Sequence, residues 1–264
     1  LGCADIVSVL FTKHLSYNPK NPAWINRDRF ILSAGHGSML LYAILHLANY
    51  PITLDDLKNF RKLHSITAGH PEYDLEFGIE TTTGPLGQGI GHAVGMALSG
   101  KMMASQLNSD TYTIIDNTIY CLAGDGCLME GVSAEASSFA GHLNLNNLVV
   151  IYDSNDICLD GPTDECFTED VKKRYESYGW HTITINGHDY EEIDTAFTQA
   201  KSQTKPVLII AKTSIGFGSP NRQNSSEAHG KPLGNDESRL TKEALGIPQE
   251  PLFHVPDNVI EISS

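Results

Sequence analysis

Residues 118–126 read Thr-Ile-Tyr-Cys-Leu-Ala-Gly-Asp-Gly. The run from Thr118 to Ala123 is apolar on both faces and passes straight into a Gly-Asp-Gly turn. A strand of that kind sits inside a sheet that is covered on both sides. Two similar runs follow, Leu148-Val149-Val150-Ile151-Tyr152 and Val207-Leu208-Ile209-Ile210-Ala211. A fourth, His181-Thr182-Ile183-Thr184-Ile185, is half-polar and ends at Asn186-Gly187. Helical stretches separate them. One covers Ser133 to Leu143, and another covers Glu169 to Tyr178 and stops at Gly179, a residue suited to a helix end. A third, Tyr190 to Gln203, carries the stripe Ile193, Ala196, Phe197 and Ala200. Strand alternating with helix predicts an α/β fold, a doubly wound and mostly parallel sheet with helices on both faces. The first hundred residues read as more helical, with Ile6 to Phe11 and Met39 to Leu47 as apolar helical runs packed on the sheet.

The chain has 264 residues, 41% apolar and 19% charged, enough to bury a real core. Its net charge is −14, with only 18 Lys and Arg, which argues against nucleic-acid and anionic-membrane partners. No apolar run approaches the length of a membrane span. The start, Leu1-Gly2-Cys3-Ala4-Asp5, has neither an initiator Met nor a secretory pattern, so Leu1 is expected to be a point inside a longer chain. The five Cys include no C-x-x-C pair, which predicts small buried hydrophobes in a reducing cytoplasm.

Asp125 follows one apolar strand, and Asn155 follows the next, 29 residues after Gly126. In a parallel sheet both lie at the carboxyl edge, where open α/β folds bind ligands. Magnesium wants about six oxygens and accepts phosphate oxygens among them. Asp125 offers a charged oxygen, Asn155 an amide oxygen, and the Ile157 carbonyl a third. A calcium loop over Asp153 to Asp160 fails, because Ile157 and Cys158 fall where an oxygen ligand and the Gly belong. Gly87, Gly89, Gly91 and Gly95 are not a nicotinamide fingerprint: the spacing is wrong and polar Thr81-Thr82-Thr83 precedes them. Close packing of helix on sheet, or of one subunit on another, is the better use of these glycines.

Three of the 11 His stand beside Gly in turn-like settings: His36, His70 and His229. Imidazoles on such loops can donate to phosphate or shuttle protons. The other His, including His188, read as structural. From Gly216 to Gly234 the composition predicts a long surface loop, and the Pro-rich tail after Thr241 reads as a linker.

Several segments together resemble the N-terminal domain of the transketolase family. They are Asn26-Arg27-Asp28-Arg29-Phe30-Ile31-Leu32-Ser33-Ala34-Gly35-His36-Gly37-Ser38, Glu80-Thr81-Thr82-Thr83-Gly84-Pro85-Leu86-Gly87-Gln88-Gly89, Gly124-Asp125-Gly126-Cys127-Leu128-Met129-Glu130-Gly131 and Ile215-Gly216-Phe217-Gly218-Ser219. The resemblance runs from near Ala4 to about Gly246. It implies thiamin diphosphate as cofactor, with magnesium (or calcium or manganese in its place) held by Asp125, Asn155 and the Ile157 carbonyl. It implies that His36, Gly126 and His229 contact the diphosphate, and that Gly84 and Leu86 reach the aminopyrimidine across a subunit boundary. His70 and His229 would face the substrate channel, which with His36 makes them the catalytic candidates. Glu130 would lie at a dimer interface. The implied reaction carries a two-carbon ketol unit from a ketose phosphate to an aldose phosphate, in the pentose phosphate pathway.

On this resemblance residues 1–238 form the diphosphate and metal-binding domain, and 239–264 lead toward a second, pyrimidine-binding domain. The family's upstream Gly-His-Pro-Gly segment and the Glu that activates the aminopyrimidine are outside these residues. The chain alone is therefore expected to bind metal and diphosphate without turning over, and the full enzyme to be a homodimer. Ser226 stands where many members have another His. Dihydroxyacetone synthase is the near relative sharing most of these motifs.

Overall fold

The structure, a computed structural model, describes residues 1–259. Residues 260–264, part of the expected linker, lie outside the described residues. Five strands make one sheet: β1 (Arg29–Leu32), β2 (Ile119–Gly124), β3 (Leu148–Ser154), β4 (His181–Asn186) and β5 (Val207–Lys212), in the order β1-β2-β3-β5-β4. Every neighbouring pair is parallel. The three runs read as central strands are the three central strands. The half-polar run is β4, an edge strand, where one side of the ladder faces no partner.

Alternation along the strands divides the core between two faces. Tyr120 and Leu122 of β2, with Val149 and Ile151 of β3, point toward α1 (Ala4–Val9), α2 (Ser38–Leu47) and α8 (Tyr190–Lys201). Beyond α2, the short helix α3 (Leu54–Lys58) adds Leu57 to this face. Ile119, Cys121 and Ala123, with Leu148 and Val150, point the other way. There they meet α4 (Gln88–Leu107), α5 (Asp125–Met129), α6 (Gly131–His142) and α7 (Val171–Ser177).

The short helices α3 and α5 were not expected, nor were strand β1 and helix α4. Strand β1 is four residues long and begins at Arg29, too short and too charged at its start for periodicity to mark it. Helix α4 is 20 residues long, and its buried Ile90, Ala93, Val94 and Ala97 do follow i, i+3, i+4, i+7. Its glycines mask that stripe. Gly89 serves close packing: a Cβ there would stand 2.5 Å from the Ser33 Cα, so the helix backbone lies directly on the end of β1. Gly91 meets only Val132, at 3.8 Å, and Gly95 has nothing within 4 Å.

Past β5 the chain is more bonded than its composition suggests. Buried Glu237 in α9 (Asn235–Ala244) accepts from the Ser219 hydroxyl and from both nitrogens of Asn221, at 2.8 Å each. Helix α9 begins before Thr241, where the tail read as a linker starts, and it spans residues 238 and 239.

The topology collects the carboxyl ends of the strands on one edge. Gly124 is in register with Asp153, and Ser154 with Lys212. The segments after β1, β2, β3 and β5 therefore emerge side by side.

Candidate active site

Asp125 opens α5 at that edge and is only 5% exposed. Its Oδ1 accepts a hydrogen bond from the Tyr152 hydroxyl. Burial pushes its carboxyl up to about 6; the Tyr152 bond opposes this, while Asp153 and Asp156 reinforce it. A carboxylate this desolvated is destabilised as an anion unless a cation stands beside it. A cavity of about 270 Å³ opens next to it, bounded by Tyr152, Asp156 and Lys212.

Asn155 sits one residue beyond β3. Its Nδ2 donates to Asp153 Oδ2 at 3.1 Å, and its Oδ1 accepts from the Ile157 N–H at 3.0 Å. A carboxylate only accepts, so Asp153 fixes which way the amide faces. Asp153 also accepts from the Thr213 hydroxyl at the end of β5. Between the two expected ligands, Asp156 has a φ of 61°, a left-handed conformation that turns the chain back sharply.

His36 lies on the one-turn helix Gly35–Gly37 that links β1 to α2. Its ring stacks on His229, with centroids 4.8 Å apart and planes at 15°. Burial, then the neighbouring His229 and His70, lower the His36 pKa. Burial also lowers that of His229, opposed by Asp153 and by a hydrogen bond to the Ile157 backbone. Burial thus favours the neutral form of both rings, and His229 reaches the residue whose carbonyl is a candidate ligand. The Nδ1 of His229 is buried and has no hydrogen-bond partner.

His70 is exposed at the rim. The segment before it is tied to α2, because Ser38 Oγ donates to the Gly69 carbonyl at 2.9 Å and the Tyr42 hydroxyl to that of Ala68 at 3.0 Å. A Cβ on Gly84 would stand 3.4 Å from the His70 ring, and one on Gly35 would stand 2.9 Å from the Gly84 nitrogen. A Cβ on Gly126 would meet Leu86 Cδ1 at 2.9 Å. So Gly84 and Leu86 lie against His70 and Gly126 of their own chain. Glu130 is exposed and caps α6, its carbonyl accepting from the Ser133 N–H at 3.1 Å.

The fold thus brings His36, Asp125, Asn155, Ile157 and His229 to one edge, with Gly84, Leu86 and His70 on its rim. Tyr152 and Asp153, which orient the two oxygen donors, were not anticipated. The available signal for Tyr152 was its hydroxyl at the end of an apolar strand, since a buried Tyr needs a partner.

The residues fit a hard cation joined to an anionic cofactor. Asp125, Asn155 and the Ile157 carbonyl supply oxygen alone, as magnesium requires. Among the described residues no group of three or more His, Cys, Asp and Glu is placed to hold a metal. A site with one carboxylate would be completed by ligand oxygens, and the orphaned His229 Nδ1 would suit the same anion only when it carries a proton.

Comparison with known proteins gives consistent results. Residues 1–264 match the family described as "Transketolase, thiamine diphosphate binding domain". Transketolase 1 of Vibrio parahaemolyticus is 53% identical over 260 residues, covering 98% of this chain and 39% of that protein. The transketolase of Halalkalibacterium halodurans is 52% identical over the same shares. The crystal structure of the Campylobacter jejuni transketolase superposes with a TM-score of 0.95 at 50% identity, covering all of this chain and 41% of that one. The Leishmania mexicana transketolase superposes with a TM-score of 0.97 at 45% identity, covering 99% of this chain and 39% of that one. The chain therefore spans about two fifths of the length of the relatives it matches.

Proposed function

This chain belongs to the transketolase family, as its thiamine diphosphate binding domain, and on that premise we propose that it serves transfer of a two-carbon ketol unit from a ketose phosphate to an aldose phosphate. The observation that carries this reading is the convergence of buried Asp125 and amide-fixed Asn155 beside the stacked His36–His229 pair. Thiamin diphosphate supplies the electron sink for carbon–carbon bond cleavage when bound.

The chain's own part is to hold and orient. Asp125, Asn155 and the Ile157 carbonyl present oxygens to magnesium, or to calcium or manganese in its place. His36 and His229 stand toward the diphosphate, and the unpartnered His229 Nδ1 donates to it only when that nitrogen carries a proton. Gly126 leaves room for close approach, already limited by Leu86. Gly84 and Leu86 border the space for the aminopyrimidine. His36, His70 and His229 are the groups that bond sugar hydroxyls and move protons. Burial favours the neutral form of His36 and His229, in which one ring nitrogen donates and the other accepts.

The reading includes a pyrimidine-binding domain, on this polypeptide or a partner, within a homodimer whose interface takes Glu130. It keeps 1–238 as the binding domain and 239–264 as the path to the next. It places the enzyme in the cytoplasm, in keeping with five Cys that are all free. No described helix is long and apolar enough to cross a membrane.

The test is calorimetric titration of magnesium and thiamin diphosphate into the full-length protein, with Asp125→Ala alongside. Metal-dependent binding should be lost in the variant; unchanged affinity overturns the metal assignment. A coupled assay with ribose 5-phosphate and xylulose 5-phosphate checks the reaction.

A further inference from the structure

His188 lies in the turn after β4, far in sequence from every residue assigned above, yet its ring is fixed on three sides. The Ser214 N–H donates to its Nε2 at 3.0 Å. Its Nδ1 stands 3.0 Å from Asp5 Oδ2 in α1. Its face stacks on Phe217, with centroids 3.9 Å apart and planes at 16°. The ring is 14% exposed and Asp5 20%. The Tyr190 hydroxyl occupies the other Asp5 oxygen at 2.9 Å.

These contacts decide the state of the ring. A backbone N–H can only donate, so Nε2 must accept, and the ring proton must sit on Nδ1, facing Asp5. The imidazole is therefore neutral, and it bridges a carboxylate on α1 to a backbone amide just beyond β5. A second proton would go on Nε2 and set two donors against each other.

The clamped turn leads to His229. Phe217 N–H donates to the Ser214 carbonyl at 3.2 Å, and Asn224 N–H to that of Ile215 at 2.9 Å. Gly216 has a φ of 65°, and a Cβ there would stand 2.9 Å from the Ala228 Cβ and 3.2 Å from the Arg222 carbonyl oxygen. The turn held by His188 thus packs without slack against Ala228, the residue before His229.

We infer that His188, in its neutral form, is a positioning residue that pins the Ser214–Phe217 turn to helix α1 and through it sets where His229 stands. The consequence for cofactor binding rests on the function proposed above, whereas the clamp itself does not. The ionisable groups bonded into it are Asp5 on α1 and Tyr190 at the start of α8; the loop presents Phe217 and a backbone amide.

The clamp is tested by amide hydrogen exchange on this chain without cofactor. His188→Phe keeps an aromatic ring against Phe217 and removes both hydrogen bonds. It should raise exchange across residues 214–229 about tenfold, the change expected from losing one or two hydrogen bonds. His188→Gln, whose amide can donate to Asp5 and accept from Ser214, should restore part of that protection. A packing role alone would show the reverse order, with Phe tolerated and Gln not, and that result overturns the inference. If His188→Phe does not fold, Asp5→Ala decides. It removes the partner of Nδ1, and exchange across residues 214–229 should rise here too. Unchanged exchange in Asp5→Ala overturns the inference. In the full-length protein, His188→Phe should raise the thiamin diphosphate KM several-fold with a smaller change in kcat. Faster exchange with an unchanged KM would keep the clamp and remove His229 from the cofactor site.

Discussion

Asp125→Asn should stabilise the metal-free protein while abolishing its response to magnesium. Its carboxyl sits at about 6 against an ordinary 3.8, chiefly because it is buried. A folded pKa raised above the unfolded one favours the protonated form. The stability contributed by this group is therefore fully present below about pH 4 and lost as pH rises through about 6. A shift of about two units at about 1.4 kcal/mol each corresponds to roughly 3 kcal/mol of destabilisation at pH 8. Asparagine imitates the protonated side chain, and its amide oxygen can still accept from Tyr152. Thermal unfolding followed by circular dichroism, with all metal chelated, should show a midpoint on the order of 5–10 °C higher for Asp125→Asn at pH 8. The gain should vanish near pH 4. Magnesium should raise the midpoint of the original protein and leave that of the variant unmoved. The reasoning fails if the variant is no more stable at pH 8, or if its gain is the same at both pH values.

Two further perturbations test the frame around the site. Arg27 grips Glu80 with two 2.7 Å contacts, both side chains only 8% exposed, so Glu80→Gln leaves a buried guanidinium uncompensated. Urea denaturation should show a loss of about 3–5 kcal/mol. A Cβ on Gly141 would stand 1.9 Å from the Tyr178 carbonyl oxygen, so Gly141→Ala must push α6 away from the turn after α7. It should cost at least about 1–3 kcal/mol, and an unchanged unfolding midpoint would refute that contact.

The sheet was legible because its three central strands are apolar on both faces, which only a doubly covered parallel strand needs. Strand β1 was not, because four residues beginning with Arg carry too little pattern, and its place at the edge comes from pairing Phe30 with Tyr120 across the sheet. Helix α4 was hidden by glycines whose purpose appears only when Gly89 is seen against Ser33. In the site, Asp125 and Asn155 were legible because each follows a readable strand. Tyr152 was not, since its hydrogen bond to Asp125 joins residues 27 apart; Asp153 lies only two residues from the Asn155 amide it turns, but it is itself held by Thr213, 60 residues on.

The sequence by itself therefore determined the layered α/β architecture, the edge where chemistry gathers and the residue types offered there. All of these follow from local periodicity and from turns beside it. Only the tertiary structure decided the state of those residues. It buried Asp125 until its carboxyl resists ionisation, turned the Asn155 amide with Asp153, stacked His36 on His229 and left one His229 nitrogen without a partner. It also gave His188, which reads as an ordinary structural histidine, a contact with Asp5 from 183 residues away. Burial and hydrogen-bond direction depend on which segments the sheet order sets side by side, and that order is a property of the packed chain rather than of any stretch within it.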